Sequence, residues 1–244
     1  METAASAPRP LRAAIEAGFE KQVVDFVGSP EFQALERGGA SRAEYDRFIE
    51  NVVRAHLRSP QLLAFLYSVA PPAAAPNLLH NMLEELGIEE EDGTAHPSLL
   101  RELAAGAGLT HRLPDLERLA DADIKRVVVA PILYGTLKEF GLAALAEIVA
   151  FEYMLSRVAG RVARALATHC GLSPEALAWF THHSEVDIRH AEQGLDDLEH
   201  YIAYYDFAPD EAMTIIEMAL RENVFIKRYF GAEALARATG MTDA

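Results

Sequence analysis

The sequence predicts an all-α protein with a single domain. Apolar residues recur at helical spacing along almost the whole chain, and the longest run of strand character is the short VVVA at 127–130, which helical pattern flanks on both sides. Half of the 244 residues are hydrophobic, and no internal repeat or low-complexity linker divides the chain. We therefore expect one helical domain over residues 1–244, with its core in about 10–235 and a buried helix segment at VVVA.

Caps and breakers predict the limits of the helices. Gly28 and Pro30 are expected to break the chain after the first helix. Ser41 and Glu44 have the spacing of a capping box, and Gly87 follows NLLHNMLEEL as a C-cap. Helices are expected at about 9–27, 41–58, from 60 to before Pro71, 77–86, 97–107, 115–140 with an interruption near Asp121 and Pro131, 142–169, and in two final helices that begin at Ser173-Pro174 and at Asp210.

Charge and cysteine content exclude several classes of protein. The net charge of −15 argues against nucleic acid or an anionic membrane as a partner, because both attract clustered Lys and Arg. The single cysteine, Cys170, excludes an intrachain disulfide and suits a reducing compartment. METAASAPRP lacks the features of a secretory signal, and no stretch offers about 18 consecutive apolar residues. We expect a cytoplasmic protein.

Three polar residues in WFTHHSEVDIRHAEQ are spaced to share one helix face. His183, Asp187 and His190 follow at steps of four and three residues, which rotate by about +40° and about −60° around a helix. Two imidazoles and a carboxylate on one face are typical of metal ligands. The alternative is a solvated face on which Asp187 is flanked by two histidines. His182 points about 100° away and is expected at the surface or beside a ligand.

A dinuclear iron or manganese site needs further carboxylates and histidines from other helices. Glu152 lies in the apolar stretch AALAEIVAFEYML, where an unsatisfied carboxylate is costly to bury. It is therefore expected to face a metal or a partner such as Arg157. Glu147 lies about 140° away on the same helix, so the two are not expected to face one site.

Three segments together resemble the haem-oxygenase-like di-iron oxidase and oxygenase family, over roughly residues 40–205. FTHHSEVDIRHAE is similar to the family's signature of His, three residues, Asp, two residues and His. FEYMLSRVAGRV resembles the family's Glu followed by a hydrophobic-Arg-hydrophobic segment. NMLEELG, followed by HPSLLRELAAGAGL, resembles a helix end with Asn, Glu and Gly, and then a His-Pro that opens the next helix.

The resemblance implies a ligand set for the metal: Glu85, His96, Glu152, His183, Asp187 and His190. Glu85 is preferred to Glu84 because it lies four residues after Asn81, as the family's ligand does. The loop from Glu85 to His96 is longer than in the family pattern. Spacing alone does not define a site in this segment, since two Glu near a helix end are common.

The resemblance also implies the chemistry: a haem-oxygenase-like bundle whose two iron ions, or manganese, use O2 to oxidise a small organic substrate. The expected outcomes are N-oxygenation, oxidative C–C cleavage or desaturation. An external electron donor is implied because the chain has no flavin or dinucleotide motif, and a homodimer is the expected assembly. Residues available to wall a substrate pocket are Tyr134, Phe140, Phe151, Tyr153 and Phe180, and those available to pair with a substrate carboxylate are Lys138, Arg157 and Arg189. The alternatives are plain core for the aromatic residues and salt bridges for the three cations.

Three other functions are weighed against this one. Thiamin-salvage hydrolases share the fold but use a nucleophilic Cys on the helix of the central Glu, and the predicted helix 142–169 has none. Cofactorless quinone-forming oxidases also share the fold, but they do not require six ligands. The non-enzymatic alternative is a metal-free helical binding protein with these groups as surface polar pairs.

Overall fold

The computed structural model describes residues 10–89, 93–126 and 137–239. These residues contain helices and no strand, so the predicted all-α class is confirmed. The helices are α1 Pro10–Gly28, α2 Pro30–Arg37, α3 Arg42–His56, α4 Ser59–Val69, α5 Ala75–Glu85, α6 His96–Gly106, a 3-10 turn Thr110–Arg112, α7 Leu113–Ile124, α8 Leu137–Cys170, α9 Ala178–Tyr204, α10 Pro209–Leu220, α11 Val224–Phe230 and α12 Ala232–Thr239. VVVA at 127–130 and Pro131 lie outside the described residues. None of the described helices is both long and apolar enough to cross a membrane.

The two longest helices, α8 and α9, pack against each other and form the centre of the bundle. Their approach is close at Gly194, where an added Cβ would lie 2.6 Å from Cγ2 of Val149. A side chain at this position would therefore force the helices apart. Glu152 on α8 and His190 on α9 are buried near this contact, so the packing of these two helices sets the relation between two predicted ligands.

The remaining helices surround this pair and close the site. Helices α4 and α5 pack on each other, and α3 contacts α6, α7 and α11. An aromatic cluster joins α1, α3 and α11, with ring centroids 5.9 Å apart for Phe26 and Tyr229 and 5.7 Å apart for Phe48 and Tyr229. Burial of these rings fixes α11 against α3.

Residues near the two ends of the chain are tied together by a buried glutamine, Gln22. Its side-chain amide donates to the carbonyl of Leu220 at 2.7 Å and accepts from the backbone N–H of Val224 at 3.2 Å. Asn223 donates to the carbonyl of Gln22 at 3.0 Å and caps α11 by accepting from the N–H of Ile226. Helix α1 therefore holds the turn from which α11 begins.

Two predicted helix boundaries agree with the structure. Ser41 and Glu44 form the capping box, since the N–H of Ser41 donates to Glu44 at 2.7 Å and the N–H of Glu44 donates to Ser41 Oγ at 3.3 Å. Gly87, just after α5, has a φ of 73°, the left-handed conformation of a glycine that ends a helix.

Other predicted boundaries are wrong. Pro30 starts α2 instead of only breaking the chain, because Ser29 caps it by accepting from the N–H of Phe32. Helix α7 continues through Asp121, which pairs with Arg58. Ser173 accepts from the N–H of Ala176 in a turn, and α9 begins only at Ala178. Helices α11 and α12 follow the two that were expected to be last.

Candidate metal centre

A cavity of about 110 Å³ is lined by residues of eight helices, namely the seven from α3 to α9 and also α11. Buried polar side chains from four helices, α5, α6, α8 and α9, line it, and they include all six residues predicted to bind metal. They are Glu85, His96, Glu152, His183, Asp187 and His190, and each is buried. The structure thus brings together, around one cavity, residues that are up to a hundred and five positions apart in the sequence.

Glu85, His96 and His183 form the tightest group. One ligand atom from each of these residues lies within 4.8 Å of the other two. Oε1 of Glu85 is 3.2 Å from Nδ1 of His96 and 3.9 Å from Nε2 of His183, and Ser59 donates to Oε2 at 2.6 Å. Although burial opposes ionisation, the two imidazoles hold the pKa of Glu85 well below its usual range. The group offers two nitrogen ligands and a carboxylate.

The ring of His183 is oriented by its own helix. Its Nδ1 lies 2.8 Å from the carbonyl oxygen of Trp179, one turn earlier on α9, and donates its proton to that oxygen. The indole of Trp179 lies against the same ring, with centroids 4.3 Å apart. Because Nδ1 is used in this way, Nε2 is the ring nitrogen that faces Glu85, as the metal-binding nitrogen of a histidine ligand does.

Glu152, Asp187 and His190 form a second, looser group on α8 and α9. Asn81 donates to the carboxylate of Glu152 at 2.6 Å, and Nδ1 of His190 is 3.6 Å from Oδ1 of Asp187. Burial raises the pKa of Glu152 to about 7, and the charge of Asp187 adds to the shift. Within the described part of the chain, only the Glu85 group meets the 4.8 Å spacing, so this second group is more open.

Asp187 is the clearest sign that the site fits a cation. Its side chain is 1% exposed, and Oδ2 has no hydrogen-bond partner among the described residues. A buried carboxylate oxygen without a partner is costly unless a metal or a proton neutralises it. Carboxylate oxygens and imidazole nitrogens are the donors that iron and manganese accept, so the residues present fit the implied metal.

Glu84 also reaches the site, which the sequence did not predict. Its carboxylate lies 2.6 Å from Nε2 of His190 and accepts from Arg189 at 2.6 Å. Although burial favours the neutral imidazole, contacts with Asp187 and Glu84 raise the pKa of His190 to about 10. Glu84 and Glu85 close the same helix, and no spacing signal in the sequence shows that both turn inward.

The charge partners expected from the sequence are elsewhere. Arg157 stacks on the ring of Tyr153 and lies 3.6 Å from Glu20, so it is not the partner of Glu152. Arg189 pairs with Glu84 as described above, and Lys138 lies over the ring of Phe207. None of these three cations is among the described residues that line the cavity.

Three other arginines line the cavity instead, each with a carboxylate partner. The pairs are Arg54 with Asp123 at 2.6 Å, Arg58 with Asp121 at 2.6 Å, and Arg228 with Glu147 at 2.7 Å. Glu147 therefore lines the same cavity as Glu152, and the expectation that they face different sites is wrong. The cavity therefore contacts side chains that lie about 140° apart around α8.

The expected aromatic wall is mostly core. Phe151 lines the cavity, whereas Phe140 packs on Phe65, Tyr153 on Phe19 and Phe180 on Phe48. Tyr134 lies outside the described residues. His182 has its ring 4.6 Å from that of His96, so it lies beside a predicted ligand, as expected.

His56 lies at the site although the sequence did not predict it there. It lines the cavity, and its Nε2 is 2.7 Å from the hydroxyl of Tyr229. Burial lowers the pKa of His56 to about 3, so the ring is neutral. A single histidine at the end of α3 carries no spacing signal, which explains the omission.

Cys170 is the last residue of α8, one position beyond the predicted end of that helix. It is 18 residues after Glu152, or about 27 Å along the helix axis. It is absent from the described lining of the cavity, where a nucleophile would have to lie. The hydrolase alternative gains no support from its position.

Comparisons with known proteins identify the family of this chain. Residues 46–222 match the family described as iron-containing redox enzymes. A 4-aminobenzoate synthase of Chlamydia trachomatis serovar D is 28% identical over 140 residues, which cover 57% of this chain and 58% of the relative. One of Chlamydia muridarum is 27% identical over 140 residues, covering 57% of each. The chain thus matches less than two thirds of the length of these curated relatives. The family match covers most of the chain and all six buried candidate ligands, and the protein belongs to the family of iron-containing redox enzymes, with its haem-oxygenase-like fold.

Proposed function

We propose that this protein is a non-haem di-iron oxidase or oxygenase that uses O2 to oxidise a small organic substrate. The reaction would be an N-oxygenation, an oxidative C–C cleavage or a desaturation. One observation carries the proposal: six carboxylate and imidazole side chains from four helices line one buried cavity, and one of their oxygens has no partner among the described residues.

The six residues would hold two iron ions, or two manganese ions. They are Glu85, His96, Glu152, His183, Asp187 and His190. Bound metal of this kind supplies the ability to activate O2, which protein side chains lack. The donor set of three carboxylates and three histidines suits this role, since carboxylates can bridge two ions and offset their charge.

The chain itself contributes orientation and the exclusion of water. Trp179 fixes the ring of His183 through its carbonyl oxygen, and Asn81 holds Glu152 through a hydrogen bond of 2.6 Å. Apolar side chains such as Ile148 and Phe151 cover the remaining wall. Such a lining keeps water from a reactive site and favours an apolar part of the substrate next to the ligands.

The partners and the location are also part of the proposal. We expect an external electron donor, because O2 chemistry at iron consumes electrons that the cavity residues do not supply. We further expect a cytoplasmic protein. We also expect a homodimer, and sedimentation of the purified protein would test this oligomeric state. The chlamydial relatives are named for the synthesis of 4-aminobenzoate, so aromatic acids related to that product belong among the molecules to try.

Metal analysis tests the ligand assignment. Protein reconstituted with ferrous iron without oxygen is expected to hold about two metal ions per chain. His183→Ala and Glu152→Ala should each hold fewer, whereas His111→Ala, on the exposed 3-10 turn, should match the wild type. Equal iron content in all four proteins would refute the site, and no bound iron in the wild type would favour the metal-free binding protein or the cofactorless oxidase.

Oxygen consumption tests the activity. The iron-loaded protein is supplied with a chemical reductant and a panel of amino acids, fatty acids and aromatic acids. We expect one class to accelerate O2 uptake, and to do so in the His111→Ala protein but not in the His183→Ala protein. Uptake that is the same with and without iron would exclude a metal-dependent oxidase.

A further inference from the structure

A second, larger pocket adjoins the metal cavity. It has a volume of about 650 Å³ and is formed mainly by α3, α7, α8, α10 and α11. The two spaces share five lining residues, namely Arg54, Ala55, Asp123, Glu147 and Arg228. Four of these form the ion pairs Arg54 with Asp123 and Arg228 with Glu147, so two ion pairs mark the boundary between the outer pocket and the metal cavity.

The outer pocket is basic although the protein is acidic. Its described lining contains five cations and three carboxylates, whereas the whole chain has a net charge of −15. The cations are Arg54, Arg126, Arg221, Lys227 and Arg228, and the carboxylates are Asp123, Glu147 and Glu222. A concave surface with excess charge of one sign concentrates ligands of the opposite sign. The pocket therefore favours an anion.

Arg228 is the best placed of these cations to receive a ligand. It donates to Glu147 through Nη2 alone, and among the described residues Nε and Nη1 have no hydrogen-bond partner. Arg54, in contrast, donates to Asp123 through both Nε and Nη2. Lys227 is engaged by Glu222 outside the boundary. Each edge of a guanidinium that fits a carboxylate pairs Nη2 with Nε or with Nη1. Glu147 takes only one N–H of Nη2, so one edge of Arg228 remains for the carboxylate of a ligand.

The small size of the metal cavity points in the same direction. An apolar cavity of about 150 Å³ holds one benzene molecule, whereas the metal cavity has about 110 Å³. The metal cavity can therefore contain only the reacting end of most organic molecules. The rest of a substrate must extend past the two ion pairs into the outer pocket.

We propose that the outer pocket binds the anionic end of the substrate, a small organic carboxylate, and that Arg228 receives the carboxylate at the boundary while the apolar end extends into the metal cavity. This proposal rests on the proposed function, because it takes the bound carboxylate to be the molecule that the enzyme oxidises. Binding of the carboxylate itself does not require metal. Arg228 lies on α11, outside the residues 46–222 that match the family. It is a positioning residue for the carboxylate.

The test uses binding to the metal-free protein. The chain has a single tryptophan, Trp179, whose ring lies 4.3 Å from that of His183, so its fluorescence reports on molecules that enter the metal cavity. Straight-chain carboxylates from butanoate to decanoate and the matching primary alcohols are titrated by fluorescence and by calorimetry. We expect the carboxylates to bind about tenfold or more tightly than the alcohols, because a charge-assisted hydrogen bond contributes that much.

Variants connect the preference to the boundary. Arg228→Gln should remove the carboxylate preference, and Arg228→Lys should restore part of it. Glu147→Gln should increase carboxylate affinity, because it removes a negative charge next to Arg228. Arg118→Gln, at a site 69% exposed on α7, is the matched control and should bind as the wild type. If Arg228→Gln unfolds, the opposite effect of Glu147→Gln still tests the site.

Three results would overturn the anion site: equal binding of carboxylates and alcohols, a preference that survives Arg228→Gln, or no carboxylate binding at millimolar concentration. Iron content separates this failure from failure of the proposed function. A wild type that holds two irons per chain but shows no carboxylate preference would refute the anion site alone. Loss of iron binding in the wild type would refute the oxidase instead.

Discussion

Nε2 of His190 lies 2.6 Å from Oε2 of Glu84, while Oε1 of the next residue, Glu85, lies 3.2 Å from Nδ1 of His96. Two consecutive carboxylates at the end of α5 thus contact imidazoles from two different helices. Although burial opposes ionisation, His190 lowers the pKa of Glu84 to about 2, so this carboxylate is charged at neutral pH. The end of α5 therefore contacts both groups of candidate ligands.

The first prediction separates the roles of these two carboxylates. Glu85→Gln should reduce iron content below two per chain, because Glu85 belongs to the tight ligand group. Glu84→Gln should keep two irons at saturation but weaken their binding by about 10- to 100-fold, as loss of a residue that orients a ligand does. Anaerobic titration with ferrous iron measures both. A lower stoichiometry for Glu84→Gln would show that Glu84 is itself a ligand.

The second prediction concerns the contact between α8 and α9. Gly194→Ala should destabilise the metal-free protein by about 1–3 kcal/mol, because the new Cβ would overlap Val149. Gly18→Ala is the matched control: its Cβ would have no atom within 4 Å, and alanine should add up to about 1 kcal/mol of helix stability. Urea unfolding followed by circular dichroism gives both values. Equal stability of the two variants would contradict the close packing at Gly194.

The third prediction is a pH dependence of folding. Asp197 is 2% exposed and accepts from Asn77 at 2.9 Å, and burial raises its pKa from 3.8 to about 7. The proton is thus held more tightly in the folded protein, so the stability from protonated Asp197 is complete below pH 3.8 and is lost as pH rises through 7.

Asp197→Asn should therefore be more stable than the wild type at pH 8, by about 2 kcal/mol, and the advantage should shrink as pH is lowered toward 4. Urea unfolding at several pH values measures the difference. Asp210→Asn, at an exposed site, should show no such trend. A constant difference between Asp197→Asn and wild type at all pH values would rule out this titration.

The fourth prediction addresses the contact between α3 and α11. Tyr229→Phe should destabilise the protein by about 1 kcal/mol, because Nε2 of His56 loses its partner at 2.7 Å. Tyr67→Phe, at a site 42% exposed, should have an effect close to zero. Thermal unfolding of the two variants measures the difference. An unchanged stability for Tyr229→Phe would mean that water replaces the hydroxyl without cost.

The sequence predicted best those features that depend on neighbours along the chain. His183, Asp187 and His190 are placed together by the helix repeat alone, and the capping box at Ser41 and Glu44 also depends on local spacing. Pro30 was misread because a proline both breaks one helix and favours the first turn of another. These errors move boundaries but leave the helix face of the site intact.

Features that depend on the packing of distant helices were not predictable from the sequence. Arg228 and His56 reach the cavity from α11 and α3, and neither lies in a spaced pattern. Glu84 and Glu85 are neighbours, and neighbouring side chains point about 100° apart on a helix. Glu84 reaches the site because the end of α5 packs against α9, where Glu84 contacts Arg189 and His190. The choice of Arg157 as a partner failed for the same reason: sequence distance does not show which helix lies opposite.

Gln22 links α1 to the turn before α11, and neither helix belongs to the residues that match the family. The candidate ligands all lie between Glu85 and His190, inside the matched region. Arg228 lies outside that region, on α11. Under the two proposals, the chain is divided between a part that would perform oxidation and a part that would choose what is oxidised. Substitutions in α11 could give such an enzyme a new specificity while leaving its redox chemistry intact.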